Sequence, residues 1–480
     1  MLKKYFHNRD MPFWIISFSI LIGLTLPVLI QDGMFMDAVL YTSVSHNLSM
    51  GIGTFWFPQF SLHNIARLPS FHEQPPLVFG IQALFFTIFG GSMVVERFYT
   101  FITMLITAIV IVLLWKEIFR DDDTLKRSGW LAIILWISIP VCFWSYSNNM
   151  HENTMGIFTL CSALFIVKAF RSLKTSVPFC ILSGIFILLA TMSKGLPGFF
   201  PIAIPFLYWL TTKGTSFSRS ILYTAIIILV PFIIYTILFL IPESRESLSV
   251  YLFKRVLHRI SDAPTVDNRF YILFRLFLEL LPQILLVIII ATVAGLKKFR
   301  IFSSKKNNQL SVFFILAGLS ASLPLMLTLV QKRFYFVPAL PFFAIGLAIP
   351  VASFIGNLIE KIDTKSRRYS IFFLLSIFLF LSTVTYSVMQ KGKTGREKEI
   401  LHDVYSIGKV VPKYSAISIP VEMWNDWGLQ CYLIRYFNIS LDPYKRNTFF
   451  MTDKSMKTDT LSGYKKINIG TVKYELYKRQ

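Results

Sequence analysis

Asp37 stands in GMFMDAVLY, an acid among apolar residues, with Tyr41 and Ser45 following at intervals of four. Residues so spaced share one helix face. A carboxylate there can take a proton from a reacting hydroxyl, or serve as the cap of a helix. Glu73, in FHEQPPL, precedes a second helix-length run; the helix dipole favours an anion at that position, and a substrate contact is the alternative. His72 beside it reads as a solvated side chain. The cations form a second set: Arg97, Lys194 in LLATMSKGLPGFF, the group Lys254, Arg255, His258 and Arg259, and Lys332 and Arg333 in LVQKRFYFVPALPFF, where Tyr335 follows. At the ends of apolar runs such side chains snorkel or attract lipid head groups. Around an acid they suit an anionic, lipid-linked substrate better than a solute pore. Asn148, Asn149, His151, Glu152 and Asn153 read as an ordinary polar turn.

The elements that must place these residues are set by composition. Of 480 residues 54% are hydrophobic, 47 are Phe, and the mean hydropathy is +0.58. This is the composition of a polytopic membrane protein. The net charge of +22 lies in short clusters between apolar runs, which marks loop orientation and not a nucleic-acid surface. No C-x-x-C or metal-binding spacing links the four cysteines. The first apolar run lacks the short core and small-residue cleavage site of a removable signal, so it is expected to stay in the chain.

About eleven spans are expected, near 12–30, 93–115, 129–146, 154–170, 177–193, 196–212, 220–241, 270–296, 310–330, 334–358 and 369–389. With Lys3, Lys4 and Arg9 inside, the basic loops at 116–128, 168–174, 213–219, 297–309 and 361–368 also fall inside, as the positive-inside rule requires. Making 76–90 a span would push the loops at 116–128 and 297–309 outside. That run is also only about 22 Å long at 1.5 Å per residue, against a hydrocarbon core of ~30 Å. It is therefore expected to lie in the outer interface, opened by Pro75 and Pro76. The first outer loop, 31–92, then carries two half-buried helices, the other being 37–50.

The transmembrane domain thus covers 1–389, and a small α/β domain outside the membrane covers 390–480. There AISIPVEM and NTFFMTD read as buried strands, WGLQCYLIRYF as a helix or strand, and KINIGTVKYELYK as a closing hairpin.

Taken in order, MDAVLYTSVSHNLSMG, EQPPL, Phe89-Gly90 before Arg97, SKGLPG and RFYFVPALP resemble the GT-C glycosyltransferases. The chain is most similar to the branch of lipid A aminoarabinose transferases and protein O-mannosyltransferases, from Met1 to about Val351. The resemblance implies a mainly helical membrane enzyme that moves a sugar from a polyprenyl-phosphate donor to a lipid, glycan or protein acceptor on the outer face of the membrane. It implies Asp37 as the catalytic aspartate, and it matches Glu73, Lys194, Arg333 and Tyr335 to the family's other elements. Ala38 replaces a frequent second acid, Gln74 a cation, Phe334 a common His, and Asn153 a frequent Asp.

On this view Asp37 acts as base, inversion follows at the sugar C1, and Lys194, Arg333, Arg259 and His258 hold the leaving phosphate, with Tyr41, Glu73, Arg97 and Tyr335 as further substrate contacts. No cofactor and no metal is expected, since MDAVLY offers few ligands, and no P-loop or dinucleotide fingerprint is present. The expected place is the inner, plasma membrane, with the C-terminal domain periplasmic. A transporter or flippase is the alternative, drawing on Arg275 and Glu279 one turn apart in the eighth span. A non-catalytic assembly protein acting through its tail is another.

Overall fold

The computed structural model describes residues 8–61, 70–172, 174–257, 264–301, 304–456 and 462–480. In chain order its principal helices are α1 (Met11–Leu29), α2 (Met36–Ser49), α3 (Leu77–Phe89), α4 (Val94–Ile118), α5 (Gly129–Ile137), α6 (Pro140–Tyr146), α7 (His151–Arg171), α8 (Ser176–Lys194), α9 (Ile204–Thr212), α10 (Phe217–Leu240), α11 (Tyr271–Leu296), α12 (Lys305–Ser322), α13 (Leu340–Glu360), α14 (Arg367–Val388), α15 (Lys398–Gly408) and α16 (Trp427–Phe437). Among the described residues nine helical stretches are long and apolar enough to cross a membrane: α1, α4, α7, α8, α10, α11, α14, and α12 and α13 with their flanking 3₁₀ turns. The other two expected spans take different forms. The 196–212 run is a 3₁₀ stretch, Leu196–Ala203, followed by α9, and the 129–146 run is broken.

The chain divides into two compact units. Met1–Val28, Thr100–Ser147 and His151–Gln390 form one; Leu29–Tyr99, Asn148–Met150 and Lys391–Gln480 form the other. Of the nine long stretches, α7 and the one that contains α13 are the most enclosed, while α10 and α14 turn most of their apolar surface outward, as lipid-facing helices do. A hydroxyl pair, Ser162 and Ser183 at 2.8 Å, joins α7 to α8.

The broken run bends by 84° between α5 and α6. Pro140 opens α6, where its missing N–H and fixed φ are tolerated but straight continuation from α5 is not. A broken helix frees polar groups that need partners in lipid, and α11 meets one backbone amide and one hydroxyl at the bend. Glu279 Oε2 accepts from Val141 N at 2.8 Å, Gln283 Nε2 donates to Ser138 Oγ at 3.2 Å, and Arg275 Nη2 pairs with Glu279 Oε1 at 3.1 Å. The Arg275 and Glu279 couple thus holds a bend.

In the second unit α3 is 13 residues long, about 20 Å, and too short to span. It buries Val78, Phe79, Gln82, Ala83 and Phe86 and leaves Leu84, Ile88 and Phe89 exposed. It packs on α2, which is buried without a break from Ala38 to Asn47.

The C-terminal segment of this unit carries five strands, β1 (Ala416–Ser418), β2 (Ser440–Asp442), β3 (Phe449–Asp453), β4 (Tyr464–Ile467) and β5 (Tyr474–Arg479), in the order β2-β1-β3-β5-β4. β1 runs parallel to both neighbours, and β5 antiparallel to β3 and β4. The 416–423 stretch ends as a strand at Ser418: Pro420 lacks a ladder donor, and Val421–Asn425 form a 3₁₀ turn. WGLQCYLIRYF is helical throughout. Buried Asp403 of α15 accepts from the backbone N–H groups of Val472, Lys473 and Tyr474 at 2.6, 2.7 and 2.9 Å, fixing the turn into β5.

Candidate functional site

In the second unit the carbonyl of Phe35 accepts the amides of Ala38 and Val39, at 2.9 and 3.1 Å. Asp37 therefore stands in the first turn of α2, half-buried, where the helix dipole favours a carboxylate. Tyr41, one turn on, is inside the unit. Its hydroxyl accepts from Gln74 Nε2 at 3.2 Å, and its ring meets Phe71 and Phe79 edge-on. Gln74 thus ties the chain ahead of α3 to α2. Asn149 makes a reciprocal amide pair with Gln82, at 2.9 and 3.1 Å, and donates to Thr42 Oγ1 at 2.8 Å. Glu73 is half-buried. His72 bonds Ser70 Oγ at 2.7 Å, and burial lowers its pKa, so it is not the freely solvated side chain the sequence suggests.

Arg97 faces protein acceptors. Nε and Nη2 donate to the Gln31 carbonyl at 3.2 and 3.0 Å, and Nη1 to that of Met93 at 2.6 Å. Asp32 lies 3.8 Å and Glu96 3.6 Å from the guanidinium. Glu96 also takes Arg435 at 2.7 Å, and Arg435 donates to the carbonyls of Gly91 and Ser92 while its guanidinium lies 4.9 Å above Phe86. His46 packs edge-on to the same ring. Burial, with the Arg435 charge, lowers its pKa to about 3. Gly91 is needed beside it, since a Cβ there would sit 2.8 Å from His46 Nε2.

In the first unit Lys194 ends α8, and its Nζ lies 3.2 Å from Glu152 Oε1 in the first turn of α7. The lysine is 9% exposed and the glutamate 1%. Gly195 takes φ +79°, and any side chain there would run into the Tyr251 hydroxyl, so the turn that presents Lys194 accepts only glycine. Arg333 lies over Trp144, 5.1 Å from its ring centre, and Trp144 stacks on Phe334 at 5.8 Å. Tyr335 follows, half-buried, and His258 and Arg259 lie outside the described residues.

Glu152 and Trp144 belong to this cluster without standing out in the sequence. The 148–153 stretch is not simply a solvated turn: His151 opens α7, and His151, Glu152 and Asn153 are all buried. Asn153 exchanges bonds with Ser145, Oδ1 accepting from Ser145 Oγ at 2.6 Å and Nδ2 donating to the Ser145 carbonyl at 3.1 Å. One signal was available, an acid at the very start of an apolar span, where charge is costly. Among the described residues no group of three or more His, Cys, Asp or Glu could hold a metal ion.

Residues 73–238 match the family model described as dolichyl-phosphate-mannose-protein mannosyltransferase. A comparison with curated proteins gives no match. Among solved structures, ArnT from Cupriavidus metallidurans bound to undecaprenyl phosphate is similar over 96% of this chain and 97% of its own, with 12% identity and a TM-score of 0.63. Its apo form is similar over 91% of each chain, with 12% identity and a TM-score of 0.59. The apo oligosaccharyltransferase of Archaeoglobus fulgidus is similar over 91% of this chain and 65% of its own, with 15% identity and a TM-score of 0.55. The likeness to these structures is one of fold.

Proposed function

We propose that this chain, a multi-pass membrane protein with the fold of the GT-C glycosyltransferases, transfers a hexose or pentose from a polyprenyl phosphate to an acceptor lipid, glycan or protein on the outer face of the inner membrane. The positive-inside distribution of its loops supports that orientation. The observation that carries the reading is Lys194, a cation held inside the protein at a helix end against Glu152 where solvent-directed snorkelling is the ordinary course. Such a cation suits a lipid-borne phosphate, and the similar ArnT structure is bound to undecaprenyl phosphate.

Asp37 takes the proton of an acceptor hydroxyl, or orients an acceptor that is already anionic. The acceptor oxygen bonds to the sugar C1 as the C1–O bond to phosphate breaks, and the electron pair leaves with polyprenyl phosphate, inverting C1. Base catalysis of this kind contributes roughly 10² to 10⁴-fold. Lys194 and Arg333, with Arg259 and His258, offset the charge that develops on the departing phosphate. Glu73 and Tyr335 contact the sugar, while Tyr41, within α2, and Arg97, on the Gln31 carbonyl ahead of it, hold the helix that carries the base. No metal has a part in this scheme.

The Arg275 and Glu279 pair that favoured a transporter has its carboxylate engaged at the bend between α5 and α6. The test is Asp37→Asn, assayed in detergent for transfer from a polyprenyl-phosphate sugar. A loss of about 10² or more is expected; a rate near wild type removes Asp37 as base. Mass spectra of surface glycans and lipid A from cells with and without the gene identify sugar and acceptor.

A further inference from the structure

Residues 31–35, which lead into α2, are held largely by chain more than 350 residues away. Asp32 N donates to the Lys393 carbonyl at 2.8 Å, and Gly395 N donates to that of Asp32 at 3.0 Å. The Asp32 carboxylate accepts one phenol on each oxygen, Tyr436 on Oδ1 at 2.7 Å and Tyr405 on Oδ2 at 2.5 Å. Burial and the neighbouring carboxylate raise the pKa of Tyr405 and of Tyr436, so both stay donors. Tyr432 serves both backbone groups of Met34: its hydroxyl accepts from Met34 N at 3.1 Å and donates to Met34 O at 2.9 Å. Gly33 takes φ +88°, and a Cβ there would meet the Arg396 carbonyl at 2.9 Å and Leu401 Cδ1 at 3.2 Å. Further along α2, Ser43 Oγ donates to the Cys431 carbonyl at 3.3 Å.

Only Phe35, the cap, and Met36 separate Met34 from Asp37. A displacement at Met34 therefore passes directly into the first turn of α2. A shift of 1 Å at a reacting group can cost about 10²-fold in rate. We infer that the C-terminal segment is a positioning element for Asp37, with Tyr432 as the residue that fixes the first turn of α2. The inference rests on the reading of Asp37 as base. It gives the segment a part inside the catalytic unit, distinct from that of a separate receptor or acceptor-binding module.

The test uses the full chain with Tyr432→Phe, which keeps the ring and removes the hydroxyl, beside Tyr436→Phe and Asp37→Asn. Three readouts are taken: the gene-dependent glycan or lipid species in complemented cells, undecaprenyl phosphate affinity of the purified protein, and amide exchange by peptide. Tyr432→Phe is expected to lower the product about tenfold or more, leave undecaprenyl phosphate affinity within about twofold, and speed exchange in 33–41 while β3 and β5 stay protected. Tyr436→Phe, which leaves the Met34 clamp in place, is expected to act in the same direction more weakly. Unchanged product, or loss only with faster exchange throughout 398–480, overturns the inference. If Asp37→Asn retains product while Tyr432→Phe loses it, the reading of Asp37 fails and the segment positions a different group.

Discussion

Lys194 and Glu152 form an ion pair of 3.2 Å between the end of α8 and the start of α7, and the protein covers almost all of both side chains. Breaking such a pair strands a charge where water cannot compensate it.

Lys194→Met and Glu152→Gln are each expected to cost about 3–5 kcal/mol of stability, measured by thermal unfolding in detergent. Lys194→Met/Glu152→Met together should recover most of that loss, because no charge is left stranded. The double variant should still fail to bind undecaprenyl phosphate. Recovery of binding along with stability would show that the pair serves the fold alone.

Acid should destabilise the second unit through His46. The unfolded chain takes up a proton near pH 6.5, whereas the folded imidazole resists until about pH 3. Unfolding therefore becomes easier as pH falls through that window, with a slope of about 1.4 kcal/mol per pH unit from this group. His72, also lowered by burial, adds in the same direction. His46→Gln should flatten the dependence of thermal unfolding on pH between 6.5 and 3; an unchanged slope would place the sensitivity elsewhere.

Glu279→Ala should lower stability by about 1–3 kcal/mol, since it leaves the Val141 amide without its acceptor at the bend. Transfer per folded molecule should persist. Loss of transfer in a variant that unfolds at the wild-type temperature would return Arg275 and Glu279 to a functional role.

Much of this was legible in the sequence, for physical reasons that also set the limit. Lys194 stands out because a lysine beside lipid is costly wherever it occurs, and the short 76–90 run excludes itself as a span by length. The 129–146 run reads as one span, because a proline at the first position of a helix is tolerated as well as one that breaks it, and the 84° turn depends on where α11 delivers Glu279 and Gln283. Glu152 reads as part of a polar turn because its partner is 42 positions on, joined to it only when α7 packs on α8. Arg97 looks like one more cation for a phosphate until Asp32 and Glu96 are seen around it. The three-residue strand β2 is too short to show any period. Local pattern reports cost and length, whereas pairings between distant segments are decided by the packing of whole helices.

The hydroxyl of Tyr432 has a consequence for the order of events in biosynthesis. The bed on which the first turn of α2 rests includes a side chain that leaves the ribosome some four hundred residues later. The membrane helices that precede it can insert long before then, but the residue at position 37 finds its seat only after residue 432 has been made. Prematurely terminated products would integrate into the bilayer and remain silent.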